Sequence, residues 1–295
     1  MGKTAFVFAG QDSQTPGMGK DLYDHFESAR RIFDIAGDGI KRLCFEGPAE
    51  ELNKTIHAQP CLFTMEMACA AVLTEQGIEA DGAAGFSLGE IPAIAFAGLM
   101  SLEQALRFVR FRAEAMQVCA ERERGGMFAI LRLSVEAVND LCSRLPQVYP
   151  ANYNCPGQTV AACAESSYDS LQKETAARGG KAIRLAVSGA FHSPLMDEAS
   201  WRIAEYLRGE IFEIARMPLY ANTTGGMYEN PKYLLARQVH SPVLWQKTIE
   251  NMIADGFDSF IEIGPGSTLT GLIRKIDPNV SVSGYSDVWR VVYAD

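Results

Sequence analysis

Ser87 lies in Gly85-Phe86-Ser87-Leu88-Gly89-Glu90, a Gly-x-Ser-x-Gly string that follows a short apolar lead-in and precedes a helical stretch, Ile91 to Ala97. A serine in this setting is the pattern of a nucleophile elbow, a strand-to-helix turn so tight that its flanking residues must be small. Gly85 and Gly89 meet that need, because glycine accepts positive φ and close backbone approach. The turn would hold Ser87 at a helix N-terminus, where free N–H groups and the helix dipole favour developing negative charge. The Leu88 N–H is a candidate for half of an oxyanion hole. The string alone also arises by chance in a chain with 26 Gly, so its surroundings must decide.

A serine nucleophile needs a base within hydrogen-bond reach, and the chain has four His. His192 closes the run Val187-Ser188-Gly189-Ala190-Phe191, ahead of Ser193 and a helix-starting Pro194. That places it on a loop between strand and helix, where catalytic groups are usually carried. The bland alternative is a histidine that caps the loop. His25 reads as a surface helix residue, His57 as a loop or helix-start residue, and His240 as structural. Ser–His geometry favours His192.

These residues need elements to carry them. The composition, 47% hydrophobic and 21% charged over 295 residues, provides for a large core. A net charge of −9 with no basic run argues against nucleic acid. No stretch reads as long and uncharged enough for a bilayer span, and the N-terminus lacks the h-region of a signal peptide. Cys44, Cys61, Cys69, Cys119, Cys142, Cys155 and Cys163 are scattered without Cys-x-x-Cys spacing. They read as buried free thiols of a reducing cytoplasm, with no metal site. The loop Ala9 to Gly19 lacks the Gly-Lys-Ser/Thr ending of a phosphate loop.

Periodicity predicts a first strand over 4–9, then helices over about 21–36, 61–76 and 102–120, the last carrying Arg107, Arg110 and Arg112. After Gly125-Gly126 the order is β-α-β-β-α-β: strands 127–133, 148–154, 159–164 and 181–187, with helices from the Ser134 cap to Arg144 and over 167–178. Helix–strand alternation then resumes to the end. The expected fold is α/β: a hydrolase-like core with a mostly parallel sheet over 1–125 and 189–295, and an inserted ferredoxin-like small subdomain over 126–188.

Five segments occur in order: Phe8-Ala9-Gly10-Gln11-Asp12-Ser13-Gln14, Gly85 to Glu90, Asn154-Cys155-Pro156-Gly157-Gln158, Gly189-Ala190-Phe191-His192-Ser193-Pro194-Leu195-Met196, and Glu262-Ile263-Gly264-Pro265-Gly266. Together they resemble malonyl-CoA:acyl carrier protein transacylases and the acyltransferase domains of fatty-acid and polyketide synthases. The resemblance implies a malonyl group carried from malonyl-CoA on Ser87 and passed to the phosphopantetheine thiol of an acyl carrier protein, with His192 handling the proton. It implies a Ser–His dyad whose histidine is oriented by a backbone carbonyl near Ser241. It places the second oxyanion N–H on Gln11 beside that of Leu88, and the partner of the malonyl carboxylate on Arg112. A planar guanidinium suits that role, because it holds a carboxylate bidentately; the alternative is a helix-surface arginine paired with Glu114 or Glu90. Phe191 matches a bulky residue of malonyl-selective members, and Asn154 and Gln158 match polar cleft residues, with Gln59 and Gln238 weaker candidates. No cofactor is implied beyond CoA as substrate, and a cytoplasmic monomer is expected.

Three residues depart from the family pattern: Asp12 for a usual Gly, Phe86 for a frequent His, and Pro92 early in the elbow helix, where a lost N–H bond and a kink are expected. A serine hydrolase with the same machinery is the rival reading, and a catalytically weakened scaffold is the other. Because carrier proteins and this chain are both acidic, docking calls for a local basic patch, for which Lys181 with Arg184, or Arg274 with Lys275, are candidates.

Overall fold

The computed structural model describes residues 2–287; the outermost residues of the expected larger unit, Met1 and 288–295, lie outside them. The strands in chain order are β1 (Lys3–Phe8), β2 (Gly82–Gly85), β3 (Gly125–Leu131), β4 (Val148–Cys155), β5 (Gln158–Ala164), β6 (Lys181–Arg184), β7 (Leu219–Tyr220), β8 (Phe257–Ile263) and β9 (Ser281–Gly284). They form two sheets, one of order β7-β2-β1-β8-β9 and one of order β4-β5-β3-β6. Every pairing in the first is parallel, and every pairing in the second is antiparallel.

Parallel strands covered on both faces read as continuous apolar runs rather than alternating ones. β1 follows that rule: Phe6 and Phe8 join one core, and Ala5 and Val7 join a second on the opposite face. The antiparallel sheet has its own smaller core around Phe128, Ile130, Val138, Leu141 and Leu171. Its helices, Val135–Arg144 and Tyr168–Ala177, complete the β-α-β-β-α-β order read from the sequence, and Ser134 accepts from the Ala137 N–H as the expected cap. In parallel sheets ligands gather at the carboxyl ends of the strands, near the point where strand order reverses. Here β1, β2 and β8 are neighbours, and at that edge they release Gln11, Ser87 and the Gly264-Pro265-Gly266 turn.

Several expectations are corrected. The helix expected over 21–36 is two, Lys20–His25 and Glu27–Ala36. They are separated at Phe26, whose backbone is extended (φ −121°, ψ 130°) while its ring is buried. Helices Asp38–Glu46 and Ala49–Leu52 were not anticipated. The helix expected from Cys61 begins at Thr55 and carries Pro60 and His57 inside it. It is also long and apolar enough to cross a membrane, contrary to the sequence reading, yet 78% of its most apolar window is buried inside the protein, as befits a core helix. β6 ends at Arg184 rather than Val187; Leu185 keeps one bond to β3, its N–H on the Met127 carbonyl at 2.9 Å, and both Leu185 and Val187 line a cleft. Pro92 lies in the second turn of the continuous helical segment formed by the tight turn Ser87–Gly89 and the helix Glu90–Phe96, where proline has no N–H to give the ladder.

The elbow is as crowded as its glycines suggested. A Cβ on Gly85 would lie 1.9 Å from the Gly89 carbonyl oxygen, and one on Gly89 would lie 2.2 Å from that of Phe8. Both obstacles are backbone and cannot swing aside. Gly85→Ala should therefore lower stability by about 1–3 kcal/mol, the usual cost of overpacking. Urea denaturation checks this, and an unchanged midpoint would mean that the turn relaxes freely.

Candidate active site

Ser87 adopts φ 55°, in the left-handed region that a non-glycine residue rarely enters. Asn222, just beyond β7, holds it there. The Asn222 Oδ1 accepts from the Ser87 N–H at 2.7 Å, while its Nδ2 donates to the Gly85 carbonyl at 2.5 Å. The next N–H, that of Leu88, falls in the first turn of a helical segment, where amides lack intrahelical acceptors.

His192 also has positive φ, 59°, and its N–H is anchored on the Val239 carbonyl at 2.9 Å. Its Nδ1 lies 2.9 Å from the Gln238 carbonyl oxygen and its Nε2 lies 2.7 Å from Ser87 Oγ. A carbonyl can only accept, so Nδ1 carries the proton and Nε2 offers its lone pair to the serine hydroxyl. The orienting carbonyl expected near Ser241 is thus drawn three residues earlier, at Gln238, with the Ser241 backbone adding a lesser hydrogen-bonding contribution. Burial, and then the charge of Arg112, push the His192 pKa down to about 4 against these carbonyls. The ring is therefore an unprotonated base at neutral pH.

Arg112, on the helix Leu102–Arg122, is fully buried. Its Nη1 donates to Gln59 Oε1 and its Nη2 to Gln238 Oε1, both at 2.7 Å, and its Nε has no partner among the described residues. Neither carboxylate of the surface alternative is bonded to it: Glu114 pairs with Arg202 at 3.4 Å, and Glu90 takes Tyr228, Asn222 and Gln238. Burial lowers its pKa to about 10, so the cation persists at neutral pH.

A cleft of about 230 Å³ between the two sheets brings together Ser87, His192, Gln11, Leu88, Arg112, Phe191, Gln59, Asn154 and Gln158. Gln238 is not among its walls and stands behind Arg112 instead. The other histidines lie elsewhere: His57 Nδ1 is on the Glu51 carbonyl at 3.0 Å, His240 meets Asp197 at 2.6 Å, and His25 Nδ1 is on the Asp21 carbonyl at 2.7 Å. The Gln11 loop is pinned to the start of the 55–75 helix: Gln11 Nε2 donates to Thr55 Oγ1 at 3.3 Å, and Gln14 reaches Asn53 at 2.9 Å. Asp12 takes φ 87° there and borders the cleft, where partial desolvation raises its pKa. Phe86 packs edge-on to Trp245 at 5.5 Å. The Glu262 carboxylate accepts the Leu269 and Thr270 N–H groups at 2.9 and 2.7 Å. It thereby fixes the helix whose Thr268 and Leu269 border the cleft.

Asn222 and Asn152 went unnoticed in the sequence, and Glu90 was considered only as a partner for Arg112. Asn222 and Asn152 carry no local signal. Glu90 does stand in the elbow string, where the adjoining helix buries it.

The acyl transferase domain family matches residues 5–283. The malonyl CoA-acyl carrier protein transacylase of Bacillus subtilis (strain 168) is 38% identical, over 97% of this chain and 94% of its own length. The crystal structure of the corresponding transacylase from Clostridium perfringens superposes with a TM-score of 0.94 at 34% identity, covering 99% of this chain and 96% of that one. A malonyl-transacylase solved with its type II polyketide synthase acyl-carrier protein gives 0.94 at 32% identity, covering 99% of this chain and 100% of that one.

Labelling of Ser87 by a neutral sulfonyl fluoride should stay level from about pH 8 down to about pH 5, then fall as the ring gains its proton near pH 4. The base form is required and the site depresses the pKa, so the loss lies below the ordinary histidine value of about 6.5. Mass spectrometry of the label reads this directly, and a fall centred near the ordinary value would mean that the ring is hydrated when it reacts.

Proposed function

The chain belongs to the malonyl CoA-acyl carrier protein transacylase family, and its reaction is acyl carrier protein S-malonyl transfer for fatty-acid or polyketide synthesis; we propose that Ser87 carries the malonyl group between the two thiols. The Ser87 Oγ attacks the thioester carbonyl as His192 Nε2 takes its proton, and the oxyanion is held by the N–H groups of Leu88 and Gln11. Collapse breaks the C–S bond, and the proton on His192 goes to the departing CoA thiolate. The phosphopantetheine thiol then attacks the ester, giving its proton to His192, which returns it to Ser87 Oγ.

The observation that carries this reading is Arg112: a buried cation, with an unpartnered Nε, in the same cleft as a Ser–His contact of 2.7 Å. A carboxylate on the acyl group supplies what it lacks, and that bond is strong where water is excluded. A hydrolase of neutral esters has no use for such a group, and the intact dyad speaks against a scaffold. Gln59 steadies the guanidinium, and Asn154 and Gln158 face the acyl-thioester arm. Phe191 crowds the α-carbon of the acyl group, a discrimination worth about 1–3 kcal/mol per methyl. We read 126–188 as a ferredoxin-like subdomain inserted in a hydrolase-like one. The seven unpaired, buried thiols suit a reducing cytoplasm.

For the carrier, Arg274 and Lys275 are the better placed basic pair. Lys275 continues the stripe of Thr268 and Leu272, both of which border the cleft, at helical spacing.

Brief incubation with malonyl-CoA should add one malonyl group by intact-mass measurement. Ser87→Ala should show none, and Arg112→Ala should slow acylation at least about tenfold, the scale of one charge-assisted bond. Adding an acyl carrier protein should remove the group from the native chain; its loss to water at the same rate without carrier would establish a hydrolase instead. Reversing Arg274 and Lys275 to Glu should slow the second step and leave the first. If both steps slow together, the carrier does not dock there.

A further inference from the structure

Gln238 bonds to the base, the clamp and the elbow at once. Its carbonyl accepts from His192; its Oε1 accepts from Arg112 Nη2 at 2.7 Å; its Nε2 donates to the Ser87 carbonyl at 2.6 Å and to Glu90 Oε2 at 2.7 Å. The amide can sit only one way round. Arginine has donors alone, whereas a carbonyl and a carboxylate have acceptors alone, so a flipped Gln238 would face donor with donor and acceptor with acceptor. Glu90 is buried and does not border the cleft. Its Oε1 accepts the Asn222 N–H at 3.0 Å and the Tyr228 hydroxyl at 2.6 Å. Both carboxylate oxygens therefore meet donors.

We infer that Glu90 is a positioning residue: its carboxylate locks the Gln238 amide, which in turn holds Arg112 toward the cleft, so the preference for acyl groups bearing a carboxylate is set from behind the site. A direct Glu90–Arg112 pair would cap the guanidinium; a counter-charge one residue removed supports it and leaves it free for substrate. The inference rests on Arg112 as the carboxylate clamp.

It carries a pH signature. Burial raises the Glu90 pKa to about 7, against the opposing pull of Tyr228, Asn222, Gln238 and Arg112. A protonated Glu90 would need an acceptor, and of its neighbours only the Tyr228 hydroxyl can turn to provide one. The proton then sits on Oε1, and Oε2 still accepts from Gln238 but without its charge, which weakens the lock. The charge-assisted lock is at full strength above pH 7 and weakens as pH falls through it. The charged or titratable groups facing Glu90 are Arg112, from the 102–122 helix, and Tyr228, from the loop after β7. Glu66, from the 55–75 helix, faces Glu262 instead. His192 stays neutral down to about 4 and does not titrate in this window.

The test is single-turnover acylation of the full chain by malonyl-CoA and by acetyl-CoA, each followed by intact mass between about pH 5.5 and 8. The readout is the ratio of the two rates, in which the CoA phosphate, titrating near ~6, cancels. In the native chain the ratio should fall about tenfold from high to low pH. Glu90→Gln should give a low ratio that no longer varies with pH. A Glu90→Gln ratio matching the native one, with the same pH dependence, overturns the inference. Should thermal melting show that Glu90→Gln does not fold, Tyr228→Phe decides. Removing that donor should move the midpoint of the profile upward, and an unmoved midpoint overturns the inference. Arg112→Ala separates the two readings: if it keeps the native ratio, the clamp itself fails, whereas if it loses the ratio while Glu90→Gln keeps it, only the positioning role fails.

Discussion

A guanidinium buried without a carboxylate in contact is the costliest group in this cleft, and much of the site is arranged around it. Desolvating a cation costs several kcal/mol even after relaxation. Arg112 offsets part of that through two amide oxygens, those of Gln59 and Gln238, and through the nearby charge of Glu90. What is left uncompensated becomes recognition, because an anionic acyl group gains most where the protein has stopped short of neutralising the site. The same charge acts on the base. It adds to burial in keeping His192 unprotonated, so the group we propose to select the acyl chain also keeps the proposed base ready.

Backbone strain is the second cost. Ser87 and His192 both occupy left-handed φ, of 55° and 59°. Such residues cost about 1–3 kcal/mol each and persist only where their surroundings over-determine them. At Ser87 the Asn222 amide bridges its N–H and the Gly85 carbonyl. At His192 the Val239 carbonyl accepts the backbone N–H and the Gln238 carbonyl accepts from the ring Nδ1. Both restraints come from the segment 221–240, which the parallel sheet delivers beside the elbow through β7. The short β7 is therefore a positioning device, and the two-residue strand yields to irregular backbone where Asn222 is needed.

What could be read from the sequence followed from local physics. Gly85 and Gly89 announced a turn that only small residues permit, and the residues before Pro194 announced a histidine on a loop between strand and helix, which the fold buries. The β-α-β-β-α-β order was legible because its strands are short runs bounded by turns that carry Gly and Pro. The break at Phe26 was not, because the apolar spacing continues through it, and only tertiary burial of the ring selects extended backbone there. The 55–75 helix was legible only from Cys61, because Pro60 and the polar Thr55, His57 and Gln59 before it mask its first turns. Asn222, Glu90 and the side chain of Gln238 act across more than a hundred residues of chain. No periodicity or propensity encodes such a meeting; it exists only once the two sheets are in place.

The walls of the cleft also bear on why an ester formed on Ser87 would outlast its surroundings. The antiparallel sheet and the segment that leaves it contribute Met127, Ala129, Val160, Leu185 and Val187, and the helices add Met116 and Leu272. A water molecule needs two to four polar partners to be held in place, and these side chains offer it none. Of the polar groups present, His192 is engaged with Ser87 and Gln238 and the two Arg112 Nη atoms with glutamines, while Arg112 Nε and the Oδ1 atoms of Asn152 and Asn154 have no partner among the described residues and await the substrate. A phosphopantetheine thiol, by contrast, arrives on an arm whose carrier provides its own binding energy, and sulfur tolerates an apolar channel better than water does. Selection of thiol over water would then follow from the lining of the approach, with the dyad treating either nucleophile alike.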